Sequence, residues 1–365
     1  MASNETDETT GGIWQGPADD VVVPFNTQQQ GIMGRVARLG PAVDAILKRH
    51  DYPLPVAGTL GEALTLTGLL GTALKFGGKL ILQTKTDGPL NFLVVNFETP
   101  GYLRGYAGFD LEKTQALMKE SGTVVDKGKL FGHGHLAMTI DPGGDMDRYQ
   151  GIVAMEGQSL SAAALTYFRQ SEQLPTYIRL AVARHVQPGE VSDAENQSRY
   201  KWRAGGLLVQ HLPQEGGKPS VGPIEKEDGS LNLHGDQDEA WQRTRILAAT
   251  VEDHELLDPT LPPDRLLYRL FHEEGVRAYE ARPIAERCGC SQQRVTDVIS
   301  RFDPKQLDEL RDDNGDIVVT CEFCSSVYYF EPGAPVASEV ASESPNAPET
   351  SDAAAESDDA TPPRE

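Results

Sequence analysis

The sequence predicts an α+β protein. It is expected to have an N-terminal core domain with an antiparallel sheet and packed helices, then a helical linker, then a small C-terminal module built round four cysteines. Three observations predict this. Short apolar runs between residues 79 and 155 are separated by turn residues, the mark of hairpins. Apolar segments at helical spacing flank them, so strands fall in one group with helices packed on it. The only four cysteines in 365 residues form two close pairs near the end, Cys288-Gly289-Cys290 and Cys321-Glu322-Phe323-Cys324, with thirty residues between the inner two.

Taken in order, residues 1–20 are polar and aperiodic, so a loose arm is expected. The core domain is assigned to 21–212. Val21-Val22-Val23-Pro24-Phe25 suits a first strand, and Val36, Leu39, Val43, Ile46 and Leu47 predict a helix over 34–50. The span 59–76 is apolar with almost no charge, as in a helix buried on most of its surface, and Gly77-Gly78 stops it. Strands are expected at 79–84, 90–97, 103–107, 135–140 and 148–155, then a helix over 160–172 and a strand over 178–184. An edge strand at 204–210 completes the domain. Residues 186–203 read as a surface excursion and 214–235 as a flexible connection.

The linker is assigned to 213–284. Trp241, Leu247, Ala248 and Val251 form one apolar face, and Leu266, Leu267, Leu270 and Phe271 another after Pro262-Pro263, which suit a helix start. Each stripe is narrow and each helix short, so neither is stable alone in water and both must rest on a neighbouring surface. This region is expected to fold conditionally. The cysteine module is assigned to 285–330 and an acidic disordered tail to 331–365.

Charge narrows the partners. Formal net charge is -22, and the tail holds nine acidic residues against Arg364 alone, which leaves about -14 for the rest. The module from Ala285 to Phe330 is acidic too, with nine Asp/Glu against five Lys/Arg. Such a balance repels phosphate backbones, so no nucleic-acid partner is expected. No apolar run reads as a membrane span and the start is acidic rather than basic then apolar, so a cytoplasmic chain with no membrane partner is expected. Cysteine usage agrees, since clustered thiols kept reduced bind metal or sense oxidants more often than they staple a fold. Asn196-Gln197-Ser198 is a chance glycosylation match. Gly78-Lys79 is not a phosphate loop, because Leu80 and Ala73 stand where that loop needs Ser or Thr and Gly.

Two cysteine pairs separated by one small module's length have the spacing of a tetrahedral site in which Cys288, Cys290, Cys321 and Cys324 ligate one zinc ion. The same thiols are placed to form two short-range disulfides, Cys288–Cys290 and Cys321–Cys324, once the metal is gone. A static zinc knuckle is the plainer reading. Three features argue for a switch. Gly289 lets its flanking sulfurs approach, in a ring that would be strained and reducible. The metal holds all four sulfurs as thiolates, the form oxidants attack. Marginal helices lie immediately upstream, so loss of metal-derived folding energy can propagate into them.

These residues carry a resemblance. The cysteine arrangement, with Ser291 after Cys290 and Val327-Tyr328-Tyr329-Phe330 after Cys324, resembles the zinc module of the redox-regulated holdase chaperones, the heat-shock protein 33 family. Gly101-Tyr102-Leu103-Arg104-Gly105-Tyr106-Ala107, Arg148-Tyr149-Gln150-Gly151-Ile152-Val153, the segment from Tyr167 to Thr176, and Ala204-Gly205-Gly206 resemble its core motifs in the same order. Leu266 to Glu274 resembles the approach to its zinc module. The resemblance implies an inactive, zinc-bound reduced monomer. It implies that oxidation forms one disulfide in each pair, releases zinc and unfolds module and linker. The exposed apolar surface then binds unfolding proteins, the active form is a homodimer, and clients pass to ATP-dependent foldases on reduction. Residues 186–203, 214–235 and the tail depart from the family pattern.

Other polar residues carry less. His133 and His135 are expected in a loop, His254 and His272 on solvated helix positions, and Arg104 in a core charge pair. No Ser, His and acid grouping appears, so no turnover is inferred. The sequence thus reads as an ATP-independent holdase and not an enzyme. Two rivals are a thiol-disulfide oxidoreductase using Cys321 and Cys324, and a constitutive zinc-ribbon scaffold.

Overall fold

A computed structural model of the chain describes residues 19–28, 31–75, 77–122, 124–144, 146–186, 200–212, 224–225, 231–232, 238–312 and 315–330. The expected arm over 1–18, the tail, 187–199 and most of 213–237 lie outside the described residues. Two compact units emerge, one of residues 1–290 with 320–327, the other of 291–319 with 328–365.

The first unit opens with β1 (Val21–Asn26) and β2 (Ile32–Leu39), followed by α1 (Pro41–Leu47) and α2 (Leu54–Gly71). The helix expected over 34–50 is therefore shorter, because Gly40-Pro41 sets its start. Proline lacks an N–H and fits the first helical turn but not a helix interior. Residues 32–39 instead pair with β1 along their length. A hairpin sheet follows in β3 (Lys79–Thr86), β4 (Leu90–Glu98) and β5 (Tyr102–Phe109). Then come two helices the sequence reading did not foresee, α3 (Leu111–Ser121) and α4 (Lys127–Phe131), capped by Asp110 and Asp126. Next are β6 (His133–Asp141), β7 (Tyr149–Glu156) and α5 (Leu160–Tyr167), which runs on as a π turn, Phe168–Glu172. β8 (Thr176–Val186) and β9 (Tyr200–His211) close the core, and the short β10 (Ile224–Glu225) and β11 (Leu231–Asn232) pair with each other.

After these lie α6 (Glu239–Ala249), α7 (Asp253–Leu257), α8 (Pro263–Phe271), and the two-residue strands β12 (Arg277–Ala278), β13 (Arg282–Pro283) and β14 (Ala285–Glu286). The sheet order is β12-β1-β2-β9-β8, with β13 also on β1, for sheet A, and β14-β5-β4-β3-β6-β7 for sheet B. One sheet was expected of the core and two six-stranded sheets form. Their pairings are antiparallel except for β14 on β5, which is parallel. The segment expected at the edge, 204–210, lies instead between β2 and β8 and is almost wholly buried.

Helix α2 lies between the sheets, touching strands of both. That position explains its composition: Val56, Leu60, Ala63, Leu64, Leu66 and Leu69 are buried all round its surface, so it needs no polar face. By length and composition it could cross a membrane, contrary to the sequence reading, but 78% of it is buried inside the protein.

The opposite face of sheet A carries a second core. Val21, Val23, Phe25, Ile32, Val36, Leu207 and Val209 meet Trp241, Ala248, Leu256, Leu266, Leu267, Leu270 and Phe271 from the three linker helices, with Val251 from the link between α6 and α7. The narrow stripes thus rest on a neighbouring surface, with Phe25 stacked on Phe271 at 5.4 Å between ring centroids. Asp19 and Asp20, assigned to the arm, are tied down: Asp20 accepts from the amides of Gly40 and Ala42, and Asp19 pairs with Arg203.

The second unit holds α9 (Gln292–Ile299), capped by Ser291, and α10 (Pro304–Glu309), with a capping box between Asp303 and Gln306. The hairpin of β15 (Ile317–Thr320) and β16 (Val327–Phe330) crosses the boundary of the units by one residue on each strand.

Candidate metal centre

The site is built by two short segments that both belong to the first unit. Its first pair is delivered by β14. Gly101 is the enabling residue: a Cβ there would lie 2.0 Å from the carbonyl oxygen of Pro283, so only glycine lets the chain pass this close. The amide of Ala285 then donates to Gly101 O (2.8 Å) and that of Arg287 to Leu103 O (3.0 Å). The chain is held along β5 until it reaches Cys288.

The second pair sits on the turn between β15 and β16. The Ser325 amide donates to Cys321 O (2.7 Å) and the Cys321 amide to Ser326 O (2.9 Å), which curls Cys321 and Cys324 to one side. Ser325 takes a left-handed conformation, φ 58°, to close this turn.

All four sulfurs lie within 4.8 Å of one another. Cys288 Sγ is 3.8 Å from Cys321 Sγ and Cys290 Sγ is 3.2 Å from Cys324 Sγ, each contact joining one pair to the other. No disulfide joins them. Four thiolates bonded at about 2.3 Å to one tetrahedral ion stand about 3.8 Å apart, so this donor set and spacing can hold a metal ion. Among the described residues it is the group that does so.

The surroundings are cationic and aromatic. Arg104, on β5, is not in the core charge pair foreseen for it. Its Nη1 lies 3.9 Å from Cys288 Sγ and its guanidinium lies over the Phe323 ring, 4.3 Å from the centroid. With the Asn96 amide turned so that its oxygen faces the arginine, that oxygen accepts from Nη2 (2.9 Å) and Nε (3.2 Å). Just after α1, Arg49 pairs with Glu286 (2.7 Å) and donates to Phe323 O, its own carbonyl accepts from Ser325 Oγ, and His50 Nε2 lies 2.7 Å from Glu322 O. Sequence reasoning missed Arg49 and His50. The one signal was a pair of basic residues after a helix, and nothing there shows what they face.

Burial pushes the Cys321 thiol up. At Cys324 burial acts the same way but is outweighed by hydrogen bonds from Ser326 and the neighbouring cysteines, which bring it down to about 6. None of the four histidines weighed in the sequence belongs to the cysteine cluster. His133 and His135 are in β6 rather than in a loop, with His133 beside Asp87, while His254 is exposed beside Glu252 and His272 is beside Tyr268 O.

Comparison with known proteins agrees with this layout. The family model described as Hsp33 protein matches residues 20–331. The chain is 41% identical over 318 residues to a 33 kDa chaperonin of Caulobacter vibrioides, covering 87% of this chain and 96% of the relative. It is 36% identical over 307 residues to that of Nitrosococcus oceani, covering 84% and 90%. It is 30% identical over 314 residues to that of Escherichia coli, covering 86% and 93%. A crystal structure of the 33 kDa chaperonin from Thermotoga maritima superposes with TM-score 0.63 at 18% identity, over 86% of this chain and 95% of that one, and so shares the fold. By the family match and by relatives spanned over nine-tenths of their length or more, the chain belongs to the Hsp33 family of chaperones.

Proposed function

We propose that the chain is a cytoplasmic, ATP-independent holdase whose four cysteines bind one zinc ion when reduced and switch the protein on when oxidised. The observation that carries this reading is the gathering of Cys288, Cys290, Cys321 and Cys324 at metal-binding distances, against a core whose sheet A is covered by short linker helices. Bound there, zinc would keep the sulfurs as thiolates and supply on the order of 10 kcal/mol of folding free energy.

The chain's own residues do the rest. Arg104 places positive charge beside a thiolate cluster, Arg49 ties Glu286 of the first segment to Phe323 O of the second, and the hydrogen bonds from His50 and Ser325 fasten the second knuckle to the end of α1. Hydrogen peroxide is the oxidant proposed for each pair. One thiolate attacks a peroxide oxygen, the O–O bond breaks and a sulfenic acid and hydroxide form; the partner thiolate then attacks the sulfenic sulfur and displaces a second hydroxide to form the disulfide, and solvent protonates both hydroxides to water. Two electrons leave each pair. Cys288–Cys290 and Cys321–Cys324 are the bonds proposed, and neither sulfur then serves as a thiolate ligand. Linker helices that bury only a narrow stripe lose their support, and sheet A is left as apolar surface for unfolding proteins. A homodimer of the oxidised form and release of clients to ATP-dependent foldases complete the proposal.

An oxidoreductase role for Cys321 and Cys324 is less well supported, because the pair sits on a hairpin turn and not at a helix N-terminus. The relatives are named as chaperonins, consistent with a non-enzyme. Aggregation of a denatured client, followed by light scattering with reduced and with peroxide-treated protein, tests the proposal. Suppression by the treated protein alone is expected, and equal behaviour of the two would refute the switch.

A further inference from the structure

Helix α7 and its C-terminal residue are bound to sheet A by three main-chain carbonyls as well as by the Leu256 side chain. Arg38 on β2, 1% exposed, donates through Nη2 to Glu255 O (3.1 Å) and through Nη1 to Asp258 O. Arg203 on β9 donates through Nε to Leu257 O (2.7 Å), with its other nitrogens on Asp19. Beneath them Gly205 forms a bare floor, where a Cβ would lie 2.3 Å from Leu256 O. Arg179 at the rim pairs with Asp253. The segment's one deeply buried side chain is Leu256, in the apolar core.

Simple attachment of a helix does not require this arrangement. Arg38 is a buried cation whose oxygen partners are carbonyls, and its Nε has no partner among the described residues. Burial, and then the neighbouring Arg203 cation, pull its pKa down to about 10, so it stays charged at neutral pH. An apolar residue of similar volume would hold a helix at lower desolvation cost. What two fixed guanidinium groups add is recognition of carbonyl oxygens at set positions, whatever side chains flank them.

We propose that Arg38 and Arg203 form a receptor for unpaired main-chain carbonyls, filled in the closed form by residues 255–258 and in the open form by an extended segment of a client polypeptide. This rests on the reading of the chain as a holdase whose linker leaves sheet A. The chemistry suits that partner. Folded proteins pair more than nine-tenths of their buried carbonyls, whereas an unfolding chain offers them free beside apolar side chains. A receptor for carbonyls next to an apolar floor therefore distinguishes unfolded from folded chains without reading sequence.

The test uses full-length peroxide-oxidised protein and a fluorescently labelled, carboxymethylated unfolded polypeptide as probe. The double variant R38M/R203M is expected to bind it about ten-fold more weakly or worse, with R38K/R203K intermediate. In the reduced state the Met pair is expected to exchange amide hydrogens at 253–258 faster than wild type. If the Arg pair were only an inhibitory latch, the oxidised Met pair would bind the probe as tightly as wild type or more tightly, and that result overturns the proposal. Should the Met pair not fold, a synthetic peptide of residues 250–261 is expected to displace the probe from oxidised wild type. The same peptide with ester links after Glu255 and Leu257, whose carbonyls accept poorly, is expected to displace it several-fold less well, and equal displacement overturns the proposal. Absence of probe binding by oxidised wild type would instead remove the holdase reading, and the receptor with it.

Discussion

The guanidinium of Arg104 lies 4.3 Å from the ring centroid of Phe323 while its Nη1 lies 3.9 Å from Cys288 Sγ. One side chain of the core sheet thus touches both cysteine segments. Groups placed this way around metal ligands commonly change affinity by about 10- to 100-fold. The R104Q variant is expected to lose zinc to a competing chromophoric chelator at about ten-fold lower chelator concentration than wild type. Its core melting transition is expected to be unchanged.

The two thiols of the second knuckle are set apart electrostatically. Cys324 is held at about 6 by its hydrogen bonds against the effect of burial, while Cys321 is raised by burial. A depressed acid favours the folded knuckle above the thiol's unfolded pKa, and that contribution is lost as pH falls through about 6. Reduced, metal-free protein titrated with iodoacetamide and mapped by mass spectrometry is expected to be alkylated first at Cys324, with half-maximal rate near pH 6. Cys321 is expected to react only at higher pH.

Phe271 anchors α8 to sheet A through its stack on Phe25. Truncating a buried phenylalanine costs about 3–5 kcal/mol, more than short helices with one apolar stripe can spare. F271A is expected to leave sheet B and α2 intact, to raise hydrogen exchange across 239–271, and to suppress client aggregation partly without oxidant. Exchange mass spectrometry and light scattering check this together.

Much of the fold was legible because period and burial agree. Strands β3 to β5 alternate, the apolar run of α2 is buried all round, and the two linker stripes meet an apolar face as their width requires. The misreadings share a cause. Residues 34–39 and 43–47 are both apolar, and helical spacing runs them together until Pro41 is given its weight as a helix start. Strand β9 looked like an edge because its glycines offer no side chains to bury. In the fold Gly205 and Gly206 are where Leu256 O and the Thr65 methyl press closest, so the missing side chains mark a crowded centre. The cysteine spacing is local, and the fold gathers the four sulfurs within 4.8 Å of one another. Arg104, Arg49 and His50, 184 to 276 residues from the groups they meet in the cysteine segments, became visible only in three dimensions.

Glu62, on α2, is buried with Lys127 as its partner, and burial raises its pKa despite that cation. The sign follows from the direction: the ionised carboxylate is less favoured folded than unfolded, so stability declines as pH rises through the folded value. E62Q removes the titration and leaves Lys127 half-exposed to water. Its melting temperature relative to wild type is expected to rise as pH is raised above the ordinary carboxylate value of 4.5 and to level off once Glu62 is fully ionised in the folded protein.

The central claim is that the cysteine cluster, as a metal site, keeps the linker on sheet A. Zinc-loaded protein treated with peroxide at mildly raised temperature can be followed at once by chelator absorbance, free-thiol count and hydrogen exchange of residues 239–271. The account predicts one zinc released per chain, four thiols lost, and linker protection falling in step with both. Thiols lost and zinc released while the linker amides stay as protected as before would contradict it.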